Sequence, residues 1–351
     1  MAPLFPARWS FIASTCLVLG LALPVAPAAG LSLVKGSTVA GAPLSLDVGA
    51  ALFVRYRASK SPGLDLSRSY ELQRARLAFD LRFGQHLRVV IEPDFAGADA
   101  DLADTYLEII PLPELTFRFG QSETPFGILE TIGRFRMPSL SRGMISELMS
   151  DRTGFGGRRQ GGSMKLKLKE WPLKPELEVG VYGDFSSDLG VDAAARLRLK
   201  PAKGLSVDLA WYHRLDATVE RGHGNAVELG ALWDRGMLFA MLDVWLAHSR
   251  LFRKDNLLPT ENGLSLSVRT LVALRFSLDE DLSVEPYVGG AILDPQLKAG
   301  SDLGFDATLG LSLRAWGRLR LGVEGELERG QSAFSTLDLM RATAFIGIEL
   351  Q

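Results

Sequence analysis

The chain is poor in cysteine, in long unbroken apolar runs and in any excess of one charge. Of its 351 residues only Cys16 carries a thiol, so neither a disulfide framework nor a thiolate metal site has the residues it needs. No apolar run reaches the roughly twenty uncharged residues of a membrane-spanning helix. Lys and Arg number 39 against 41 Asp and Glu, which excludes an electrostatic case for a nucleic-acid partner. The four histidines, His86, His213, His223 and His248, are scattered without metal-ligand spacing, so no metal and no cofactor are expected. Neither a Gly-x-Ser-x-Gly element nor a Walker-type glycine loop is present, and the chain does not read as an enzyme.

The N-terminus is read as a signal peptide, residues 1–28. Arg8 supplies the positive region and Phe11–Leu23 the short apolar one. Ala26-Pro27-Ala28 has the small-x-small form of a cleavage site. Ala13-Ser14-Thr15 before Cys16 makes a poor lipobox, so lipid attachment is not expected. Removing this segment removes Cys16 and Arg8, moving the net charge from −2 to about −3. Residues 29–43, rich in small side chains, read as a periplasmic lead-in.

From Leu44 onward the apolar pattern has period two. Ala75, Leu77, Phe79, Leu81 and Phe83 alternate with Arg74, Arg76, Asp80 and Arg82; Met164, Leu166 and Leu168 alternate with Lys165, Lys167 and Lys169. On a helix, residues two apart point about 200° away from each other and no apolar face would form; on a strand each face is clean. The same test predicts about sixteen strands, near 44–57, 70–83, 87–95, 103–110, 115–121, 162–169, 176–184, 191–200, 205–214, 226–234, 237–248, 264–278, 282–293, 303–315, 318–328 and 337–350. Their connections alternate between tight turns, such as Gly84-Gln85-His86 and Trp316-Gly317, and longer loops, such as 58–69 and 215–225. That alternation belongs to a transmembrane up-and-down barrel with periplasmic turns.

One apolar parity carries no charge within the strand interiors. It includes Leu205, Val207, Leu209 and Trp211, then Leu264, Leu266, Val268, Val272, Leu274 and Phe276. The opposite parity holds Arg196, Arg198, Asp208, Arg269, Arg275, Arg314, Arg320, Glu324 and Glu326. A charge facing lipid at mid-bilayer costs roughly 2–4 kcal/mol, so an uncharged parity in strand after strand predicts a lipid-facing wall. A soluble sandwich would break the rule at its edge strands, and a solenoid would show a fixed repeat, which is absent. The fold class is therefore all-β, a transmembrane antiparallel barrel over 44–351 in the outer membrane, with the lipid bilayer as its partner. Pro93 and Pro286 lie within strands and should each mark a bulge or a strand end.

The most distinctive stretch runs Phe119-Gly120-Gln121-Ser122-Glu123-Thr124-Pro125-Phe126-Gly127, then Glu130, Ser146-Glu147-Leu148, Asp151-Arg152 and Gly154-Phe155-Gly156. With Glu71–Leu77 and Asp104–Leu107 upstream, it resembles the phosphate-selective porin O and P family over about residues 70–160. The resemblance implies a sixteen-stranded homotrimeric porin whose third long loop, here 121–161, folds inward and narrows the pore. It also implies an anion pathway lined by Arg and Lys. Pro125, Phe126 and Gly127 are expected to make the inward bend, and Leu140, Met144, Ile145, Leu148 and Met149 fall at helical spacing between Ser139 and Ser150.

Candidate anion-pathway residues are Lys165, Lys167 and Lys169 on the lumen parity, Arg134, Arg136, Arg152, Arg158 and Arg159 in the loop, and Arg74 and Arg76. Cations two residues apart on a strand, about 6–7 Å from one to the next, can hand an anion along without trapping it. Against that, the same parity holds Asp80, Glu92, Asp94, Asp104, Glu108, Glu176, Glu178 and Asp208. Three readings follow. The chain is an anion-preferring, phosphate-type porin for small hydrophilic solutes; a non-selective or structural barrel with partner-binding loops; or, least supported, an outer-membrane enzyme. Trp211, Trp233, Trp245, Tyr56, Tyr70 and Tyr212 fit aromatic girdles or lumen packing equally well.

Overall fold

The computed structural model describes residues 31–39, 42–61, 63–97, 99–133, 135–143, 146, 154–183, 190–215, 223–249, 263–294, 297, 303–330 and 339–350. The signal-peptide expectation lies outside these residues. The strands are β1 Leu31–Val39, β2 Ala42–Lys60, β3 Ser67–Phe83, β4 Leu87–Asp94, β5 Asp101–Leu112 and β6 Leu115–Glu123. A four-residue helix, α1 Ile128–Thr131, precedes β7 Arg158–Lys167, β8 Glu176–Gly183, β9 Val191–Ala202, β10 Leu205–Leu215, β11 Gly224–Arg235 and β12 Leu238–Ser249. The chain ends with β13 Gly263–Leu274, β14 Phe276–Ser277, β15 Leu282–Asp294, β16 Gly304–Ala315, β17 Leu319–Gly330 and β18 Leu339–Leu350.

Each strand from β2 onward is antiparallel to its neighbour, and β18 returns to pair with β2 from Leu350↔Ala50 to Met340↔Lys60. The barrel is closed. Since β13 and β14 are one interrupted strand, both paired to β15, it has sixteen staves, and every predicted strand is among them. At the tight end, Trp316 and Gly317 take φ of 54° and 63° between β16 and β17. Positive φ at both central residues is what a type I′ hairpin turn requires.

The walls are inside out. Leu309 (69% exposed), Val288 (56%) and Ile292 (53%) stand on the outside, while Arg320, Glu228, Asp243 and Glu285 are each 1% exposed inside. Trp211 faces outward with the half-exposed leucines, whereas Trp245 and Tyr212 are buried in the lumen, which resolves the two uses of aromatics left open by the sequence.

Two strand-level expectations resolve differently. Pro93 does mark an irregularity, a register shift between Glu92 and Pro93 on β4. Pro286 does not shift β15, which pairs with β16 straight through Pro286↔Leu311. Its effect falls on the other neighbour. The β13/β14 interruption at Arg275 lies between the pairs Ala273↔Tyr287 and Phe276↔Val284, beside the proline that has no N–H to give. The 29–43 stretch contributes β1, paired to the lower end of β2 from Val39↔Ala42 to Leu31↔Val48. That row of β2 is the one β18 leaves empty, because β18 ends opposite Ala50.

Candidate functional site

The connection between β6 and β7 does not stay outside; it enters the barrel. Pro125-Phe126-Gly127 makes the bend, with Gly127 at φ 82°. A Cβ there would approach Glu130 and Trp245 to 3.0–3.2 Å, so the left-handed backbone and the tight fit both select glycine. Phe126 is 0% exposed, wedged against Trp245 (4.8 Å between ring centroids) and Tyr212 (5.5 Å), with Phe155 of the returning limb at 6.4 Å. The Gly127 N–H donates to Glu228 Oε2 (2.7 Å) and the Ile128 N–H to Glu228 Oε1. One buried carboxylate of β11 thus satisfies the two leading amides of α1.

Beyond the bend the loop crosses the lumen. Ile128, Leu129, Ile132 and Met137 pack on Leu232, Phe239, Met241, Leu271 and Tyr287. Phe135 and Leu140 reach the far wall, against Phe53 of β2 and Phe345 of β18. Loop carbonyls and amides that would otherwise be orphaned find charged partners on the barrel. Arg314 donates to the carbonyls of Phe135, Arg136 (3.1 Å) and Met137 (3.4 Å), and Arg320 to that of Pro138. Arg269 donates to Ser141 O (3.0 Å). Glu324 accepts from the Leu140 and Ser141 amides (3.1 and 3.2 Å), and Glu326 from the Ser141 hydroxyl (2.9 Å). The helix expected between Ser139 and Ser150 falls largely outside the described residues; the helix seen, α1, follows the bend directly.

The inward side chains of β3–β9 bond one another instead. Arg88 bridges Asp80 (2.9 Å) and Glu108 (3.1 Å); Arg118 joins Glu108 (2.8 Å); Arg196 joins Glu178 (3.0 Å); Arg198 joins Asp208 of β10 (2.5 Å). This wall is a lattice of cross-strand ion pairs.

The predicted site residues separate into three groups. Lys165, Lys167 and Lys169 do not form an even ladder. Lys165 Nζ is held by Glu178 (3.0 Å) and Glu176 (3.4 Å), Lys167 ends β7, and Lys169 lies past the strand in the β7–β8 turn. The second group, Arg74, Arg76 and Arg158, comes together near loop Arg142. Arg76 binds Glu92 (3.2 Å) and Asp94 (2.9 Å), Arg158 binds Asp104 (3.0 Å) and Glu123 (2.9 Å), and Arg142 binds Glu130. Arg74 has no hydrogen-bond or ion-pair partner among the described residues. The third group is apart from these. Arg136 pairs with Asp234 (2.9 Å), and Arg159 donates to Gly154 O (3.2 Å), steadying the returning limb. Arg134 and Arg152 lie outside the described residues. Sequence reasoning missed Glu228, Glu324, Arg314 and Arg320 as the loop's receivers. Their only signal was a charge on the inward parity, which Arg314 also spends on Glu285 of the neighbouring strand (2.7 Å). Among the described residues no group of three or more His, Cys, Asp or Glu is placed to hold a metal.

No protein-family model matches the sequence, and no curated protein matches it. Solved structures do resemble the fold. An anion-selective porin from Comamonas acidovorans superposes with a TM-score of 0.60 at 13% identity, over 88% of this chain and 99% of that one. The outer-membrane channel DcaP of Acinetobacter baumannii gives 0.60 at 14% identity, over 90% and 100%. The trimer form of OmpT, an outer-membrane protein of Vibrio cholerae, gives 0.55 at 11%, over 87% and 99%. At these identities the likeness is one of fold. The chain has the sixteen-stranded barrel architecture of outer-membrane porins.

Proposed function

We propose that the chain is an outer-membrane porin through which small hydrophilic solutes diffuse, with a preference for small anions. The observation that carries this is the loop itself. It is pinned across the lumen by backbone bonds to Glu228, Glu324, Arg314 and Arg320, the placement of a loop that narrows a pore from within. The preference for anions rests on Arg74, an inward guanidinium with no ion pair among the described residues. Phosphate, in its singly charged form, is one such anion. A leader over 1–28 serves export, and assembly as a homotrimer agrees with the trimer form known for one protein of similar fold.

The ion pairs on Lys165, Arg88, Arg118 and Arg196 favour a second reading, a non-selective pore, because paired charges project little net field. Planar-bilayer recording of the full-length protein in a chloride gradient decides between them. A stepwise conductance with a reversal potential displaced toward chloride is the expected result. A reversal potential at zero selects the non-selective pore, and an absence of channels sinks the porin reading.

A further inference from the structure

We infer that the tight-turn end of β7–β12 is a binding surface for an anionic phospholipid of the periplasmic leaflet. It lies at the foot of the lipid-facing wall and does not depend on what the pore conducts. The turns of this sector, 168–175, 203–204 and 236–237, lie wholly within the described residues.

The β7–β8 turn is strained where it need not be. Among the described residues, positive φ falls on glycine everywhere except Leu173 (63°), Lys174 (43°) and Trp316 (54°), all in turns at this end. The neighbouring turns use Gly204 (89°) and Gly236 (60°) for the same purpose. Glycine would sit at 173 and 174 without strain, so it is the side chains of Leu173 and Lys174 that the turn keeps. The turn is also stiff. The N–H groups of Leu168, Trp171 and Lys174 donate to Pro175 O (2.9 Å), Leu168 O (3.2 Å) and Trp171 O (3.0 Å). The Lys200 N–H of β9 donates to Leu173 O (2.6 Å).

That frame holds large apolar groups in the open. Trp171 is 62% exposed, Leu173 50% and Met237 of the β11–β12 turn 59%. Leu177 and Leu238, the first outward residues of β8 and β12, follow at once. Exposed cations flank them: Lys169 and Lys174 on the first turn, Lys203 on the second, Arg235 beside the third. The second and third turns touch, since a Cβ on Gly204 would meet Arg235 Cβ at 2.5 Å. Lys200, also exposed, is shared with Glu176 (3.4 Å), and the exposed acids nearby are Glu114 and Glu170. The β14–β15 turn on the same rim is the reverse, with Asp279, Glu280 and Asp281 all exposed. Indole and leucine among lysines suit the boundary between acyl chains and headgroups. The apolar groups enter the chains, and the ammonium groups reach a headgroup phosphate.

The test uses the full-length protein in phosphatidylcholine vesicles doped, at equal mole fraction, with brominated phosphatidylglycerol or brominated phosphatidylcholine. Bromine quenches nearby tryptophan, and the difference between wild type and Trp171→Phe isolates the signal of Trp171. At low salt, brominated phosphatidylglycerol should be preferred over brominated phosphatidylcholine by about fivefold, the factor that one lysine near an anionic headgroup supplies. The preference should fall to about one in Lys169→Gln/Lys174→Gln/Lys203→Gln, and likewise at about 1 M salt. Heat-modifiable gel mobility confirms that the triple variant is folded. Equal quenching of wild type by the two lipids overturns the proposal, as does a preference that survives the triple change. Quenching by neither lipid places the turn clear of the bilayer, overturns the lipid assignment and hands the surface to a periplasmic protein. An equal and opposite shift in Asp279→Asn/Glu280→Gln/Asp281→Asn also overturns it, because net charge and not this sector would then decide.

Discussion

The two halves of the lumen wall share a pleat but use their inward charges differently. On β11–β18 inward carboxylates and guanidinia bond the backbone of the inserted loop, Glu228 taking two amides, Glu324 two more and Arg314 three carbonyls, beside ion pairs such as Arg314–Glu285 (2.7 Å) and Arg341–Glu326 (2.7 Å). On β3–β9 the same residue types bond each other across neighbouring strands. The first half is a socket for chain, wedged by aromatics; the second is a surface of alternating charge knitted by cross-strand pairs. An inward arginine on one side is a donor to the loop backbone and on the other a partner for a neighbouring strand's carboxylate. Parity alone does not distinguish them, and only the path of the loop does.

The comparison breaks most visibly if the loop goes. Deleting residues 128–150 should raise single-channel conductance severalfold while the barrel still assembles, shown by SDS resistance before boiling and altered mobility after it. Unchanged conductance would remove the loop from the current path. A smaller effect separates the two walls by stability. Trp245→Ala empties the pocket around Phe126 and should cost about 3–5 kcal/mol, the usual loss for a large buried aromatic. A lowered midpoint for heat-induced loss of the folded gel band checks this, and an unchanged midpoint means the aromatics do not hold the bend. The smallest effect belongs to the β3–β9 wall. Arg118→Gln leaves Glu108 still paired to Arg88, so it should cost about 1–3 kcal/mol, the loss of a charged hydrogen bond, and shift the reversal potential toward cations. A large drop in stability there would show that the ion-pair lattice, and not the loop, holds the barrel's shape.

The barrel itself was readable because alternation is local. Leu205 to Trp211, or Leu264 to Phe276, declares its lipid face within one strand, and a face without charge in strand after strand suits hydrocarbon and little else. The inward bend at Pro125-Phe126-Gly127 was also readable, since the loop carries too many apolar side chains to leave in water. What was hidden depends on pairs far apart in the chain. Glu228 meets Gly127 across 101 residues and Arg320 meets Pro138 across 182, and no period relates them. The carboxylates that face the lysine row were hidden for a related reason. Lys165, Lys167 and Lys169 form a cationic row by spacing, but the strand opposite places Glu178 against the first and Glu176 against the second. Trp245 and Tyr212 were ambiguous because a girdle and a lumen wedge ask for the same residues.

The short strand β1 has a consequence for how the barrel is completed. Closure joins the two ends of the chain, Lys60 to Met340 and Ala50 to Leu350, the most distant pairing in the molecule and by loop-closure entropy the slowest to find. Nothing in a row of unpaired amides tells an arriving last strand where to stop, and a slip of one residue would turn the outward Met340 and Ile346 of β18 inward. β1 and β2 are neighbours in the chain, Val39 pairing with Ala42, so their pairing closes a far shorter loop than that of β18 with β2. With Leu31 opposite Val48, it occupies the rows below Ala50. The last strand cannot slide further down without evicting the first, and β1 thereby works as a doorstop for the ring.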